Sequence, residues 1–508
     1  MTARPNIPPT AATFAAQIPY AFAKSHGVLA AGMEGDAVVV LTRPDATADG
    51  VVEIKRVLQR PLVTRAIGAD AFAFELARAY NQAAPTATTT LADDLARETD
   101  LARLMQDMPV TEDLLDSTTQ APVIRMINAL LLQALRERAS DLHFEPYEAR
   151  SVVRFRIDGV LRDVIEPPRA LHAALVSRLK IMANLDIAEK RLPQDGRIAL
   201  KLGDKQVDVR VSTLPTGSGE RVVLRLLEKE NRLLNLPDIG LSAEKLAVMM
   251  QLIHLSHGIL LVTGPTGSGK TTTLYAALSQ INVPDKNIIT VEDPVEYQLQ
   301  GISQMQVNPK INVTFSNGLR SILRQDPDVI MIGEIRDQET AEIAIHASLT
   351  GHLVLSTLHT NNAAGAATRL IDMGIEPFLV ASSVVAIIAQ RLVREICTAC
   401  RSPYQPSDEE LAKLGVSASG KRPTLYRGVG CPACAQTGYR GRSGIYELLL
   451  VDEEIRRLIS AKVDSAQIEQ QAIAKGMTTL RDEGAAKVLQ GLTTTEEVIR
   501  TTQQAVEG

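Results

Sequence analysis

The chain contains few aromatic residues, few cysteines and no long apolar run. It has no Trp, aromatic residues make up 3%, and four of its 508 residues are Cys. Its cores must therefore rely on Leu, Ile, Val and Ala. No stretch approaches the roughly 18 consecutive apolar residues of a transmembrane helix. Met1–Thr10 has no apolar segment typical of a secretory signal, so none is expected.

The chain also lacks an excess of positive charge. Its formal net charge is −5, which argues against a surface built mainly to neutralise nucleic-acid phosphates. Hydrophobic residues at 45% and charged residues at 22% are typical of globular domains, and the length predicts about three or four of them. We expect a cytoplasmic protein that reaches a membrane only through partners.

The hydrophobic pattern predicts an α+β module followed by a linker and then by a region of helices and strands. The module spans about Ile18–Tyr80, and Gln82–Thr90 has the Ala-, Pro- and Thr-rich composition of a linker. A helix is predicted to open near Pro122, and the Asp158-Gly159 pair predicts a hairpin between two strands. The segment Asn235–Gly240, which contains a Pro and a Gly, is predicted to be a second boundary between domains.

Beyond this boundary, short apolar runs alternate with helical patterns. The runs are Gly258–Thr263, Ile288–Val291, Val329–Ile332 and Leu353–Leu355. This alternation predicts an α/β domain with a largely parallel sheet.

A phosphate-binding loop follows the first of these runs. It comprises Gly264, Pro265, Thr266, Gly267, Ser268, Gly269, Lys270 and Thr271, and Thr272 opens the next predicted helix. Glycines let backbone N–H groups approach phosphates, Lys270 reaches the β and γ phosphates, and the Thr271 hydroxyl binds Mg²⁺. A purely structural glycine-rich turn is the alternative. The strand–loop–helix context favours ATP binding.

Carboxylates follow two of the predicted strands. Gly333 holds the position where P-loop enzymes usually place Asp, so Glu334 is the candidate for organising Mg²⁺. Glu292 or Glu296 could orient or deprotonate the attacking water, since ligands bind at the carboxyl ends of strands. A solvated capping loop is the alternative for this second group.

Arginines and histidines accompany these acids. Arg320 and Arg324 are four residues apart and are predicted to share a helix face, and Arg336 follows Glu334. Such arginines can neutralise charge on a transferring phosphate, although a solvated surface is the ordinary alternative. His359 is a candidate γ-phosphate sensor, whereas His352 fits an internally hydrogen-bonded histidine better.

Two C-x-x-C pairs use every cysteine of the chain. They consist of Cys397, Cys400, Cys431 and Cys434. Two such pairs suit one tetrahedral Zn²⁺ in a structural site with no open position. Redox pairs are the alternative. We expect the residues between the pairs to fold as a small lobe of their own.

Together these motifs resemble the secretion ATPases, most closely the type II secretion system assembly ATPase family. The resemblance runs from about residue 120 to the C-terminus. Its most specific motifs are Ala139–His143, Arg191–Arg197, Gly264–Thr271, Leu323–Asp328 and Gly333–Asp337, with the histidine box Gly351–Thr360 and the segment Gly430–Arg442. Gly333 before Glu334 is ordinary in that family.

The resemblance implies a fold and a division of the chain. It implies an N-terminal platform-docking module (1–81), a linker (82–120), a PAS-like α+β domain (121–234) and a RecA-like ATPase core (235–396). A tetracysteine zinc lobe (397–440) and a C-terminal helical region (441–508) complete the expected order.

The resemblance also implies a hexameric ATPase that uses ATP, Mg²⁺ and Zn²⁺. Arg210 and Arg225 of the PAS-like domain are implied to approach the phosphates together with the arginines above, and Glu296 is our choice for water activation. The implied partners are the cytoplasmic domain of an inner-membrane platform protein, bound by the N-terminal module, and a polytopic platform protein. No nucleic acid is expected.

Two other functions remain open. A type IV pilus extension ATPase shares the core and the cysteine lobe, and the first 120 residues should distinguish it. A hexameric nucleic-acid translocase is the alternative of another class, although the acidic balance and the absence of stacking aromatic residues count against it.

Overall fold

The chain folds into two compact units, Met1–Asn231 and Arg232–Gly508. The computed structural model describes residues 14, 18, 20–69, 71–72, 75–76, 79, 117–202, 205–228, 234–416 and 422–503. Most of the expected linker, and all of Gln82–Thr90, lies outside these residues. None of the helices in these ranges combines the length and the apolarity needed to cross a bilayer.

The first part of unit one is a small α+β module. Its helices are α1 (Tyr20–His26) and α2 (Ala48–Leu58), and its strands are β1 (Val28–Glu34), β2 (Ala37–Thr42) and β3 (Leu62–Ala66). Strands β1 and β2 are antiparallel, and β3 joins β2 in parallel. Thr47 caps α2 by accepting a hydrogen bond from the Gly50 N–H at 3.3 Å. Val28, Val38 and Ile54 are fully buried in the core of the module.

The second part of unit one is an antiparallel sheet with two helices. The helices are α3 (Ser117–Arg136) and α4 (His172–Met182), and the strands are β4 (Ala139–Pro146), β5 (Ser151–Ile157), β6 (Val160–Ile165), β7 (Gln194–Leu202), β8 (Lys205–Thr216) and β9 (Gly219–Glu228). The strand order is β6-β5-β4-β9-β8-β7. The Asp158-Gly159 turn is confirmed, with φ of 48° and 84°.

Helix α3 differs from its predicted start. It begins at Ser117, so Pro122 lies inside the helix instead of near its first turn. Proline has no N–H, so the helix lacks the hydrogen bond that residue 122 would otherwise donate. Buried Ile127, Leu130 and Leu131 hold this helix against the sheet.

Unit two is built on a seven-stranded sheet. Its strands are β10 (Gly258–Thr263), β11 (Ile288–Glu292), β12 (Ser303–Gln306), β13 (Val329–Ile332), β14 (Leu353–Leu358), β15 (Val384–Ile396) and β18 (Tyr439–Leu450), in the order β12-β11-β13-β14-β10-β15-β18. All neighbouring pairs are parallel except β15 with β18. The predicted α/β fold with a largely parallel sheet is therefore confirmed.

Helices cover both faces of this sheet. They are α5 (Ala243–Leu252), α6 (Lys270–Ile281), α7 (Phe315–Ile322), α8 (Gln338–Leu349), α9 (Ala363–Asp372), α10 (Pro377–Ser383), α11 (Asp408–Leu414), α12 (Glu453–Ser460), α13 (Ser465–Ala474), α14 (Leu480–Leu489) and α15 (Thr495–Thr502). Successive residues of β10 enter opposite cores: Leu261 packs in one and Leu260 in the other. Burial on both faces explains why the strand is continuously apolar.

Two expectations for the C-terminal part need correction. The region 441–508 is not entirely helical, because Tyr439–Leu450 forms the antiparallel edge strand β18. The insert between the cysteine pairs contains α11 and the two-stranded ribbon of β16 (Arg401–Tyr404) and β17 (Leu425–Gly428). Its buried Leu414 and Leu425 belong to the main core of unit two, so the described residues of this insert, up to 416 and from 422, show no separate apolar core.

Candidate functional site

The phosphate-binding loop lies at the carboxyl end of β10. Gly264, Gly267 and Gly269 have φ of 148°, 81° and 89°, a region that side chains with a Cβ rarely adopt. A Cβ at Gly264 would also lie 2.5 Å from the Gln390 carbonyl oxygen. Helix α6 begins directly at Lys270, so its positive N-terminal end faces the loop.

Lys270 is buried within this loop. Its ammonium donates hydrogen bonds to the carbonyl oxygens of Gly264 at 2.8 Å and Pro265 at 3.2 Å. Burial is the main cause that lowers the pKa of Lys270 to about 8; the carboxylate of Glu334 opposes this shift, and the charge of Arg391 adds to it. Thr271 is exposed at the start of α6, whereas the Ser268 hydroxyl is buried and has no hydrogen-bond partner among the residues that the structure describes.

Strand β15 forms a side wall of the loop that the sequence did not predict. Its pairing with β10 reaches Thr263 opposite Ala389, and the strand then continues past the end of β10. Gln390 accepts a hydrogen bond from the Thr273 hydroxyl at 2.7 Å and approaches Gly269. Arg391 lies beside Gly264. Both side chains are buried.

Glu334 follows β13, at the same edge of the sheet. Its Oε1 accepts a hydrogen bond from Arg336 at 2.5 Å, and its Oε2 lies 3.2 Å from His359 Nε2. The hydrogen bond from Arg336 raises the pKa of that arginine. The Glu334 carboxylate is also close enough to Lys270 to favour the charged ammonium. Glu334, Arg336, His359 and Lys270 therefore belong to one site.

The two candidate water-activating acids differ in their surroundings. Glu292 is 2% exposed, and its carboxylate accepts hydrogen bonds from Tyr275, Thr290 and Gln304. Burial, followed by the charge of Glu292, raises the pKa of Tyr275. Glu296 is half-buried, and its backbone N–H donates to the Tyr275 hydroxyl at 3.4 Å. Because its carboxylate already accepts three hydrogen bonds, Glu292 is suited to stabilising the loop that follows β11. Glu296 therefore stays the candidate for activating water.

Arg320 and Arg324 do not share a helix face as predicted. Helix α7 ends at Ile322, so only Arg320 is helical, and Arg324 lies two residues beyond the end. Arg320 pairs with Glu339 at 2.9 Å, and Arg324 donates to the Arg320 carbonyl at 2.7 Å. Both side chains are exposed, so these pairings cost little to exchange for a phosphate.

The two histidines of the histidine box have different partners. His352 contacts the Ala347 carbonyl at 2.8 Å and the Thr350 hydroxyl at 3.2 Å through Nδ1. His359 instead faces Glu334 across 3.2 Å. This arrangement supports a local structural role for His352 and keeps His359 as the candidate sensor.

In unit one, Arg210 and Arg225 lie opposite each other on the neighbouring strands β8 and β9. Arg225 donates a hydrogen bond to Asp141 at 2.9 Å, and its side chain is 56% exposed. The Asp141 side chain is only 6% exposed. The two arginines implied by the resemblance therefore occupy one row of this sheet.

The four cysteines form one cluster. All four Sγ atoms lie within 4.8 Å of one another, and three pairs are separated by 3.9, 3.8 and 3.7 Å. Four thiolates at about 2.3 Å from a tetrahedral Zn²⁺ would be about 3.8 Å apart, so the donor set fits zinc. Cys397 directly follows β15, and β18 begins at Tyr439, opposite Ile396. The cluster therefore links the ends of these two strands.

A parallel sheet with a phosphate-binding loop at the end of β10 and a carboxylate after β13 defines a P-loop ATPase of the RecA-like class. The family described as "Type II/IV secretion system protein" matches residues 116–500, and an N-terminal domain family of "GSPII protein E" matches residues 17–80. The chain belongs to the Type II/IV secretion system protein family. The family expected from the motifs is therefore confirmed, and the expected ATPase activity is confirmed with it.

Several known proteins are similar to this chain. The type II secretion system protein E of Pseudomonas aeruginosa is 54% identical over 488 residues, which cover 96% of each chain. The type II secretion system ATPase E of Vibrio cholerae is 51% identical over 457 residues, 90% of each chain. The ATPase DotB of Yersinia pseudotuberculosis has a similar fold, with a TM-score of 0.56, 21% identity and coverage of 78% of this chain and 96% of DotB.

Proposed function

We propose that this chain is the cytoplasmic ATPase that powers pseudopilus assembly and protein export in a type II secretion system, acting as a homo-hexamer. The observation that carries this proposal is the buried Lys270 in a glycine loop that also faces Glu334. The match of residues 17–80 to the N-terminal domain of GSPII protein E favours secretion over pilus extension.

Binding of ATP begins at the loop. The backbone N–H groups of the glycine turn and the N-terminus of α6 attract the phosphates. Lys270 exchanges the carbonyl oxygens of Gly264 and Pro265 for the β and γ phosphates. Thr271 and Glu334 would hold Mg²⁺, which supplies positive charge to the phosphates. The electrostatic effect of Glu334 on Lys270 supports this proposed role.

Hydrolysis requires a positioned water and neutralisation of charge. Glu296 orients the water, and Arg320, Arg324 and Arg336 stabilise charge on the transferring phosphoryl group. Arg336 pairs with Glu334, so it would have to release this carboxylate partly before it contacts a phosphate, and the carboxylate would then be freer to hold Mg²⁺. His359 contacts Glu334, so a change at this carboxylate would be transmitted to residues 359–361 after β14, which we call the histidine loop.

Coupling to mechanical work is proposed to involve Arg210 and Arg225. If these residues contact the same nucleotide as the loop, ATP binding favours a closed arrangement, and loss of the γ-phosphate releases it. Monomers should then hydrolyse ATP slowly, because a hexamer shares its γ-phosphate sites between subunits.

The cysteine cluster is proposed to bind a structural Zn²⁺. Cys397, Cys400, Cys431 and Cys434 supply four ligands, which leaves no position for substrate. The ion would hold the ends of β15 and β18 together. Since β15 forms the wall of the phosphate loop, the cluster would stabilise the ATP site without contacting it.

The partners are proposed from the family. The N-terminal module, residues 1–81, docks on the cytoplasmic domain of an inner-membrane platform protein, and the ATPase also acts on a polytopic platform protein. Peripheral attachment to the inner membrane follows from these contacts. The net charge of −5 gives no reason to expect a nucleic-acid partner.

The phosphate site is tested with Lys270→Ala in the full chain. We expect the variant to lose ATP hydrolysis by at least about 100-fold, because the ammonium stabilises charge on the transferring group. The matched control is Lys310→Ala, which removes an exposed lysine and should turn over normally. Normal turnover by Lys270→Ala would show that the site is assigned wrongly.

The type of machine is tested by binding. The full chain should bind the cytoplasmic domain of a type II secretion platform protein, and a chain lacking residues 1–81 should not. Binding to the pilus counterpart instead would favour the extension ATPase. ATP turnover stimulated by DNA would favour the nucleic-acid translocase.

A further inference from the structure

Arg391 is a buried cation beside the phosphate loop. It is 8% exposed and lies on β15, past the point where β10 ends. Its Nη1 would be 3.0 Å from a Cβ built on Gly264, so the guanidinium contacts the first residue of the loop. Strand pairing with β18 at Ile445 fixes the backbone that carries it.

The partners of this guanidinium are neutral. Nη1 donates a hydrogen bond to the Gln390 carbonyl at 3.1 Å, and Nη2 donates to the Asn361 carbonyl at 2.8 Å. Nη2 also lies 3.4 Å from Asn361 Oδ1. Within the described ranges of the chain, no ion pair joins Arg391 to a carboxylate at 4.0 Å or less.

The charge of Arg391 is therefore only partly balanced. Burial lowers the pKa of Arg391 and Glu447 opposes this, but an arginine keeps its proton at any ordinary pH. Its charge also acts on Lys270, and it lowers the pKa of that lysine. Two buried cations beside a glycine loop create a positive potential that an anionic phosphate would relieve.

The contact with Asn361 has a second consequence. Asn361 follows His359 and Thr360, and the Thr360 N–H donates to the Thr263 hydroxyl at 2.9 Å. Hydrogen bonds thus connect the histidine loop to the end of β10 through Thr263 and to β15 through Arg391. His359 faces Glu334 from this loop.

We propose that Arg391 is a positioning residue for ATP hydrolysis with two separable effects. Its guanidinium, which donates hydrogen bonds through two nitrogens, holds the histidine loop in a fixed position relative to the phosphate loop. Its buried charge strengthens the binding of nucleotide phosphates. The inference rests on the proposed ATP site but concerns a residue that touches neither the reacting atoms nor Mg²⁺.

Two variants of the full chain separate the effects. Arg391→Lys keeps the charge and loses the fork, so kcat should fall by roughly 10- to 100-fold while KM for ATP changes less than about threefold. Arg391→Met loses both, so kcat should fall similarly and KM should rise by about tenfold or more. The dissociation constant of Mg-ADP, measured by calorimetry, should follow KM.

Two controls test whether a loss of activity is specific to Arg391 and whether each variant is folded. Arg440→Met removes an exposed arginine from the neighbouring strand β18 and should leave kcat and KM unchanged. Thermal unfolding and zinc content verify the fold of each variant. If Arg391→Met does not fold, Arg391→Gln replaces it, since the amide can still donate to a carbonyl but carries no charge.

Three results would contradict the proposal. Normal kcat in Arg391→Lys would refute the role of the fork, and unchanged KM in Arg391→Met would refute the role of the charge. Equal loss in Arg440→Met would show a general effect of arginine removal. Failure of the ATP site itself is a separate result, because it would appear as normal turnover in Lys270→Ala.

Discussion

The buried ammonium of Lys270 predicts an alkaline limit on ATP hydrolysis. Its pKa of about 8 is well below the ordinary value of 10.5, because burial disfavours the charged form. The protonated form binds phosphate, so kcat/KM should be full below this pKa and fall above it. Between pH 7 and pH 9 the protonated fraction falls about tenfold, and kcat/KM should fall by about the same factor.

The pH dependence of kcat should differ from that of kcat/KM in this experiment. The bound phosphates favour the charged ammonium, so the limb in kcat should lie at higher pH than the limb in kcat/KM. Steady-state ATP hydrolysis by the assembled protein, with Mg²⁺ in excess, gives both constants across about pH 6.5–9.5 in steps of about half a unit. Returning samples from pH 9 to pH 7 checks that activity loss is reversible.

Two variants identify the titrating group. Lys270→Arg should be slow but should lack the limb, since a guanidinium keeps its proton throughout this range. Arg391→Met should move the limb to higher pH, because the charge of Arg391 lowers the pKa of Lys270 and Glu334 raises it. A wild-type profile that is flat from pH 7 to pH 9 would refute the assignment.

Three further predictions concern other parts of unit two. Glu334→Gln should lower kcat by roughly 100-fold or more while ADP still binds, whereas Glu342→Gln, an exposed change, should not. Cys434→Ser should lose the bound zinc and about 4 kcal/mol of stability, the entropy of a ~35-residue cross-link, as measured by metal analysis and urea unfolding. Burial opposes ionisation of Glu497, but hydrogen bonds, chiefly from Arg394, lower its pKa to about 2. Glu497→Gln should therefore cost about 3 kcal/mol near neutral pH, and the wild type should lose that amount as pH falls from about 4.5 through 2.

Some of the site could be predicted because its residues are contiguous. The glycine loop needs backbone angles that few other residues adopt, and it lies between a strand and a helix that the local pattern also predicts. The cysteine pairs were predicted to share one ion from their spacing alone, and their Sγ distances fit this. The prediction that Arg320 and Arg324 share a helix face was wrong, because α7 ends at Ile322.

Other parts of the site depend on contacts between distant residues. Gln390 and Arg391 reach the loop only because β15 pairs with β10 and extends past it. Residue type and position leave both Glu292 and Glu296 as candidates, and the choice of Glu296 from the sequence rests on the resemblance. The hydrogen bonds of Tyr275, Thr290 and Gln304 to the buried Glu292 distinguish their environments.

The sequence by itself determined the P-loop class, the parallel sheet, the four clustered cysteines and the family. These features rest on short motifs whose backbone geometry or apolar pattern is local. The tertiary structure decided which acid is buried, that β18 completes the sheet and that Arg391 lies against the phosphate loop. Burial and electrostatic environment arise from packing between residues up to hundreds of positions apart, which local patterns do not encode.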